Sequence, residues 1–218
     1  FSATMPPEIM KMATAHMKLP IRIEVAPSGT TVERVTQEIF IIPKDAKIRL
    51  VEKLLEQYVG TTLIFTRTKY GAKKLTREIR DIGHTTAELH SNRSPGQRRD
   101  AFEGFKSGRY RVLIATDIAS RGIDVTGIEL IINYDLPTNT EDYVHRIGRT
   151  ARAGAGGHAI SLVTPDQRRE LRDIERLVRK NLPISQLPDL PPARAPKFTP
   201  RPYAGGLRQG RPFRGSHR

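Results

Sequence analysis

Cysteine is absent from the 218 residues, which rules out a disulfide framework and a thiolate metal site. The six histidines are scattered with no pair at metal-ligand spacing, so no metal centre is expected in the chain. Apolar runs stay well short of the roughly 18 to 20 residues that span a bilayer, and no membrane partner is expected. The opening FSATMPPEIM lacks both an initiator Met and the charged-then-apolar layout of a signal peptide. A chain that begins at Phe1 is expected to be a piece of something longer, and a reducing, cytoplasmic home is compatible with its composition. Phosphate-binding glycine loops are missing as well. There is no G-x-x-x-x-G-K-[ST], and the glycine cluster at residues 154–157 reads GAGG, precedes a strand and looks like a turn.

Positive charge is abundant. The net charge is +14; residues 183–218 carry seven Arg or Lys against Asp189 alone, which makes +6 and leaves +8 for the first 182 residues. Excess in both parts suggests a polyanionic partner, nucleic acid ahead of an acidic membrane, although plain solubility also accounts for it.

From about Gln37 the sequence alternates between two periods. QEIFII (37–42), TLIFT (62–66), TAELH (86–90), RVLIAT (111–116), ELIINY (129–134) and HAISLV (158–163) read as short buried strands bounded by Gly, Pro and Asp. Helical segments lie between most of them. AKIRLVEKLLEQYV sets Ile48, Val51, Leu54, Leu55 and Tyr58 on one face; KYGAKKLTREIRDIG ends at Gly83; PGQRRDAFEGFKSG opens at Pro95 and closes at Gly108. Asn139 or Thr140 is placed to cap a helix with Glu141 and Asp142 in its first turn. Such alternation implies an α/β domain with a largely parallel sheet covered on both faces, spanning residues 37–182. Residues 5–25 suggest a helix, with Ile9, Ala13 and Met17 spaced four apart, then the strand IRIEV. Residues 26–36 have linker composition. Residues 183–218 are rich in Pro, Gly and Arg and are expected to form a disordered basic tail.

Ligands of open α/β sheets sit at the carboxyl ends of the strands. Three polar clusters fall there: TRTK (66–69), HSNRS (90–94) and TDIASRGID (116–124). Each alone is compatible with a solvated loop; three on one edge suit a site that handles phosphates. HRIGRTARAG (145–154) then places Arg146, Arg149 and Arg152 three residues apart on a slowly drifting helix face, with Val144, Ile147 and Ala151 left for the core. Guanidinium suits bidentate phosphate contacts and charge stabilisation in phosphoryl transfer. On spacing alone, a solvated basic face serves equally well and is the simpler reading.

HRIGRTARAG, together with ATDIASRGIDV (115–125), NYDLP (133–137), LIFTRTK (63–69) and the initial FSAT, resembles the DEAD-box RNA helicases. The order and spacing are similar to the second RecA-like domain of that family, over residues 1 to about 182, and RGIDVTGIELIINYDLP looks most like its bacterial RhlE-like branch. The resemblance implies a RecA-like parallel sheet and use of ATP with Mg2+, held mainly by a first RecA-like domain to which residues 1–25 would belong. No P-loop and no DEAD-like Asp-Glu pair for magnesium occur in this chain. By the same resemblance Arg149 and Arg152 are arginine fingers, and His145 couples the nucleotide site to RNA. Gly122 and Asp124 lie at the ribose, and Ser2 and Thr4 link hydrolysis to unwinding. Thr68, Ser91, Arg98 and Thr116 would hold the RNA backbone, with Asp117 and Arg121 at or near the strand path.

The chain departs from the family pattern at three places. Ser91 stands where the family usually has Gly, the Gln of its Gln-x-x-Arg element is replaced so that only Arg98 is carried over, and Ala151 stands where Gly is common. The function implied is that of an ATP-dependent RNA helicase, the intact two-domain protein being the enzyme and this chain alone inactive. The alternative is a non-catalytic RNA-binding or annealing module. A dinucleotide-binding enzyme shares the fold class but would need a glycine fingerprint that is missing after the first strand. The tail interleaves Arg with Gly and single aromatics, a pattern suited to sequence-tolerant contacts with single-stranded RNA. Deleting the tail is expected to lower RNA affinity and flatten its salt dependence; an unchanged salt slope in a titration would remove that role.

Overall fold

Apolar segments of four to seven residues, too short for most helices and bounded by breakers, become strands of a single six-stranded sheet. A computed structural model of the chain describes residues 7–17, 35–120, 125, 127–150 and 156–193. The elements are α1 (Pro7–His16), β1 (Val35–Ile41), α2 (Lys47–Gln57), β2 (Thr62–Phe65), α3 (Lys69–Asp81), β3 (Thr86–Leu89), α4 (Pro95–Lys106), β4 (Val112–Ala115), α5 (Asp117–Ser120), β5 (Leu130–Asn133), α6 (Thr140–Ile147), β6 (Gly157–Val163) and α7 (Arg168–Val178). All strand pairs are parallel, in the order β1-β6-β5-β2-β4-β3. The expected α/β class and all six expected strands are present. β1 opens at Val35, two residues before the expected start.

Alternation along each strand divides the core into two layers. Leu63 and Phe65 of β2, Leu113 and Ala115 of β4, and Ile131 of β5 face Phe105 of α4, Tyr143 and Ile147 of α6, and Leu171 and Ile174 of α7. Ile64, Ile114, Leu130 and Ile132 face Leu50, Val51, Leu54 and Leu55 of α2 and Ala72, Leu75 and Ile79 of α3. Both sheet faces are therefore dry, which is why β2, β4 and β5 read as unbroken apolar runs rather than alternating ones. Each fully buried Leu or Ile contributes roughly 1.5 to 3 kcal/mol.

The distribution of helices creates a switch point. The chain leaves β2 for α3 on one face, whereas its two neighbours, β4 and β5, lead to α5 and α6 on the other. Loops that part in this way open a crevice at the carboxyl ends of adjacent strands.

Three results differ from, or add to, the sequence reading. α7 was not placed from sequence; it buries Leu171 and Ile174 and ends at Arg179, the lone described non-glycine residue with positive φ (53°). Second, structure does not stop at Leu182. Residues 183–193 run along β1 as a strap. Ile39 N–H donates to Pro183 O at 2.9 Å, Ser185 N–H donates to Ile39 O at 2.9 Å, and Ile184 bridges Ile39 in parallel sense. Ser185 Oγ also donates to Glu38 Oε2 at 3.0 Å, Arg49 Nη1 donates to Pro191 O at 3.3 Å, and Leu190 packs on the α2 layer. Ordered structure therefore continues past the boundary expected at 182. Proline suits this edge position, since it needs no outward donor; residues 194–218 lie outside the described residues. Third, α1 forms over the expected segment, with Ile9 and Met12 exposed. The strand IRIEV and linker residues 26–34 lie outside the described residues.

Truncation after Leu182 is expected to lower unfolding free energy by about 2 kcal/mol relative to truncation after Ala193, from two lost main-chain bonds and the exposure of Leu190. Paired urea titrations would show it; coincident midpoints would mean that the strap adds no stability.

Candidate functional site

Arg146 is 2% exposed, an unusual position for a guanidinium. Its Nε donates to Asp117 Oδ1 at 2.6 Å and its Nη2 to Asp117 Oδ2 at 2.8 Å. Its Nη1 donates to Asn133 Oδ1 at 3.1 Å and to Asp135 O at 2.7 Å, and its Cζ lies 5.0 Å from the centre of the Phe65 ring. These bonds occupy four of the five N–H donors a guanidinium owns. The side chain thus joins α6 to the ends of β4 and β5, across β2. Burial without such partners would cost several kcal/mol.

The image of three arginines on one helix face is corrected by this geometry. Tyr143, Arg146 and Ile147 form the buried face of α6, followed by buried Thr150, whose hydroxyl donates to Ile128 O. His145 and Arg149 are half-buried on the rest of the segment, and Arg149 Nε donates to His145 O at 3.2 Å. Asn139 caps the helix by accepting from Glu141 N–H at 3.1 Å. Glu141 and Asp142 in the first turn and His145 and Arg146 in the last complement the helix dipole. Under α6 a second polar link is buried: Tyr143 OH donates to Gln37 Oε1 at 2.9 Å, and burial pushes the phenol up to about 12.

The strand ends supply the second part of the site. Thr68, Ser91, Thr116 and Asp117 follow β2, β3 and β4, three neighbours in the sheet, and Arg98 stands in the first turn of α4 just beyond β3. The structure brings these residues to one edge, stitched by Thr66 N–H to Ala115 O at 3.0 Å and Thr116 N–H to Leu89 O at 3.2 Å. Thr68 caps α3: its Oγ1 accepts from Gly71 N–H at 3.0 Å and retains its own proton for another acceptor. A Cβ at Gly71 would lie 3.2 Å from that oxygen, so glycine there makes room for the cap. Ser94 caps α4 through a reciprocal pair with Gln97. Neither α3 nor α4 has an acid in its first turn. Lys69 stands in the first turn of α3, and Arg98 and Arg99 in that of α4. Two such N-termini with flanking cations make an edge suited to anionic oxygens.

Asp117 also serves the fold: each of its carboxylate oxygens accepts from Arg146, so its side chain is a strut at this edge. Ser91 and Arg98 are exposed and Thr116 is half-buried. Gly122, Asp124, Arg121 and Arg152, as well as Ser2 and Thr4, lie outside the described residues.

Sequence reasoning missed Lys47, and it placed Arg67 and Lys69 in the TRTK cluster without giving either a role of its own. Lys47 is 2% exposed, donates to Tyr134 O at 2.6 Å and approaches Asp135 Oδ1 at 3.7 Å. Burial holds its ammonium below the usual lysine range, against the opposing pull of Asp135. The signal was a lysine on the same stripe as Val51 and Leu54, where an apolar residue would be expected. Arg67 N–H donates to Asp135 Oδ2 at 3.0 Å, and Lys69 Nζ donates to Asn92 Oδ1 at 3.0 Å, tying the loops after β2, β3 and β5 to one another. Among the described residues no cluster of three metal-ligating side chains occurs.

A family model described as the helicase conserved C-terminal domain matches residues 46–154. The ATP-dependent RNA helicase DbpA of Bacillus subtilis is 41% identical over 179 residues, which cover 82% of this chain and 37% of that protein. The DEAD-box ATP-dependent RNA helicase RhpA of Helicobacter pylori is 38% identical over 191 residues, covering 87% and 39% respectively. The chain therefore spans about two-fifths of the length of these relatives. Among solved structures, the Escherichia coli DEAD-box protein SrmB, bound to the regulator of ribonuclease activity A, matches at 32% identity with a TM-score of 0.66. That match covers 75% of this chain and 97% of the other. Dbp5 of S. cerevisiae, bound to RNA and ADP BeF3, matches at 29% identity with a TM-score of 0.77, covering 85% of this chain and 50% of the other.

Arg146→Ala is expected to destabilise the domain by about 3 to 5 kcal/mol, because Asp117 and Asn133 lose their buried partner. Arg149→Ala is expected to cost under about 1 kcal/mol, as for other partly exposed positions. Denaturant unfolding of the two variants checks the contrast; equal losses would refute the division of the arginines into strut and surface group.

Proposed function

The chain belongs to the helicase conserved C-terminal domain family, in the form carried by DEAD-box proteins, and from that premise we propose that it is the second RecA-like domain of an ATP-dependent RNA helicase. The observation that carries this reading is the anchoring of α6. The Arg146–Asp117 pair fixes the helix against the strand ends, so His145 and Arg149 project from a rigid support.

ATP with Mg2+, when bound, would supply the phosphoryl group and the charge that develops during its transfer. The chain's own residues fit only one side of such a ligand. Arg149 offers a guanidinium from the turn that closes the anchored helix, whereas the described residues include no phosphate cradle and no magnesium-binding carboxylate cluster. The cradle is accordingly proposed to reside on a first RecA-like domain, with Arg149 and Arg152 directed towards the γ-phosphate across the interface and Gly122 and Asp124 at the ribose. His145, in the last turn of α6, would couple this side to the strand-end edge, and its carbonyl accepts from Arg149 Nε.

RNA is proposed to lie along the strand-end edge. The Thr68 hydroxyl, the free ends of α3 and α4, Ser91, Arg98 and Thr116 suit a sugar-phosphate backbone, and none is arranged to read a base. Arg121 would continue that path, and Asp117 would support it through Arg146. Closure of the two domains on RNA and ATP would complete the site, and hydrolysis would reopen it. The wording RGIDVTGIELIINYDLP supports a bacterial RhlE-like branch, and a cytoplasmic setting is proposed for such a protein.

The test is ATP hydrolysis by this chain joined to a first RecA-like domain that carries a P-loop. Hydrolysis should require RNA, and Arg149→Ala should reduce it on the order of 10³-fold while leaving the fold intact. The chain alone should hydrolyse ATP negligibly. Hydrolysis indifferent to Arg149 would leave only a non-catalytic, RNA-binding role.

A further inference from the structure

Among the described residues β3 is an outermost strand of the sheet and pairs with β4 alone. Val112 N–H donates to Thr85 O at 3.1 Å and Thr116 N–H donates to Leu89 O at 3.2 Å. In a parallel ladder this commits the main chain of Thr85, Ala87 and Leu89 to β4 and turns that of Thr86, Glu88 and His90 outward. Beside the outward edge, between α3 and α4, lies a pocket of about 440 Å³ whose lining includes Arg80, Thr86, Glu88, Arg93 and Gln97. Two buried polar atoms there have no hydrogen-bond partner: Thr86 Oγ1 and Glu88 Oε2, on residues only 4% and 7% exposed.

We propose that this edge is a docking site for an extended acidic peptide, which adds a strand to β3 and places a carboxylate on Arg80. Main-chain pairing is the natural use of an open edge, with pockets beside it for alternate side chains. The sign of the partner follows from the guanidiniums. Arg80 is exposed, and the bond it makes here, Nη2 to Thr86 O, is long at 3.4 Å. A docking strand would take over that carbonyl and release Arg80 for a carboxylate. Arg93 is half-buried and pairs with Glu88 through Nη2, which leaves the rest of its fork facing the pocket. Each acid of the pocket has its own cation, Glu88 with Arg93 and Asp100 with Arg109 at 2.6 Å, which leaves Arg80 as the surplus charge. Thr86 Oγ1 gains a partner from the incoming strand. The Tyr110 ring has Arg109 on one face, 4.7 Å from its centre, and lies so close to Gly104 that a Cβ there would meet it at 2.5 Å. A stacked base finds no open aromatic surface, and a peptide fits this pocket better than RNA does.

The probe is acetyl-Glu-Val-Glu-Val-Glu-amide added to the full chain, with the Gln-Val-Gln-Val-Gln peptide and oligo(U) in parallel arms. Binding is followed by fluorescence anisotropy and by amide exchange at Glu88. The acidic peptide should bind with a dissociation constant below about 1 mM, slow exchange at Glu88, and remain bound when oligo(U) saturates the strand-end edge. Arg80→Glu, an exposed substitution whose folding is checked by an unchanged amide spectrum, should weaken it at least about tenfold. Equal binding of the glutamine peptide, unaltered exchange at Glu88, or displacement of the peptide by oligo(U) would each overturn the proposal.

Discussion

A single guanidinium, buried where three strand ends meet, sets the arrangement of everything around it. Arg146 reaches Asp117 beyond β4 and Asn133 and Asp135 at β5, and covers Phe65 of β2. No apolar side chain could join those three elements, because the groups to be satisfied are a carboxylate, an amide oxygen and a carbonyl. The cost of dehydrating the arginine is offset only because these acceptors stand in the geometry of a planar fork. The pair therefore fixes the tilt of α6 and the conformation at the start of α5 together. Asn133 extends the link inward, since its Nδ2 donates to Ser161 Oγ of β6 at 3.0 Å. A polar line thus runs from the edge into the sheet.

That line explains how a dry parallel sheet presents a polar rim. The two apolar layers place α2 and α3 on one side and α4 to α7 on the other. The chain then has to leave β2 and its neighbours in opposite directions, and the divergence exposes loop main chain and helix N-termini along the rim. Cross-ties such as Lys69 to Asn92 and Arg67 to Asp135 hold these loops in register. The rim is rigid for the same reason that it is polar: each loop is held by hydrogen bonds that water would otherwise make.

Sequence and structure agree most where one physical signal dominates. The runs LIF, VLIA and LIIN have a single solution in a sheet covered twice, and Asn139 before two acids has a single use as a cap. Disagreement arises where a residue's partner is distant in the chain. Arg146 belongs to a regular arginine spacing, and nothing local shows that Asp117, 29 positions earlier, draws it inward. Lys47 sits in an apolar stripe for a similar reason, because its acceptor, Tyr134 O, is 87 positions away. The strap was hidden by composition: proline and few large apolar groups suggest disorder, but an edge strand needs only a few well-placed main-chain groups. α7 was obscured by its charge, as its apolar positions are reduced to Leu171, Ile174, Leu177 and Val178 among arginines and acids.

The direction of the strap bears on the geometry of attachment. It runs parallel to β1, so it travels towards the carboxyl ends of the strands, and Leu190 and Pro191 meet the first turns of α2 there. Whatever follows Ala193 is thereby moored beside the polar rim and not on the opposite side of the domain.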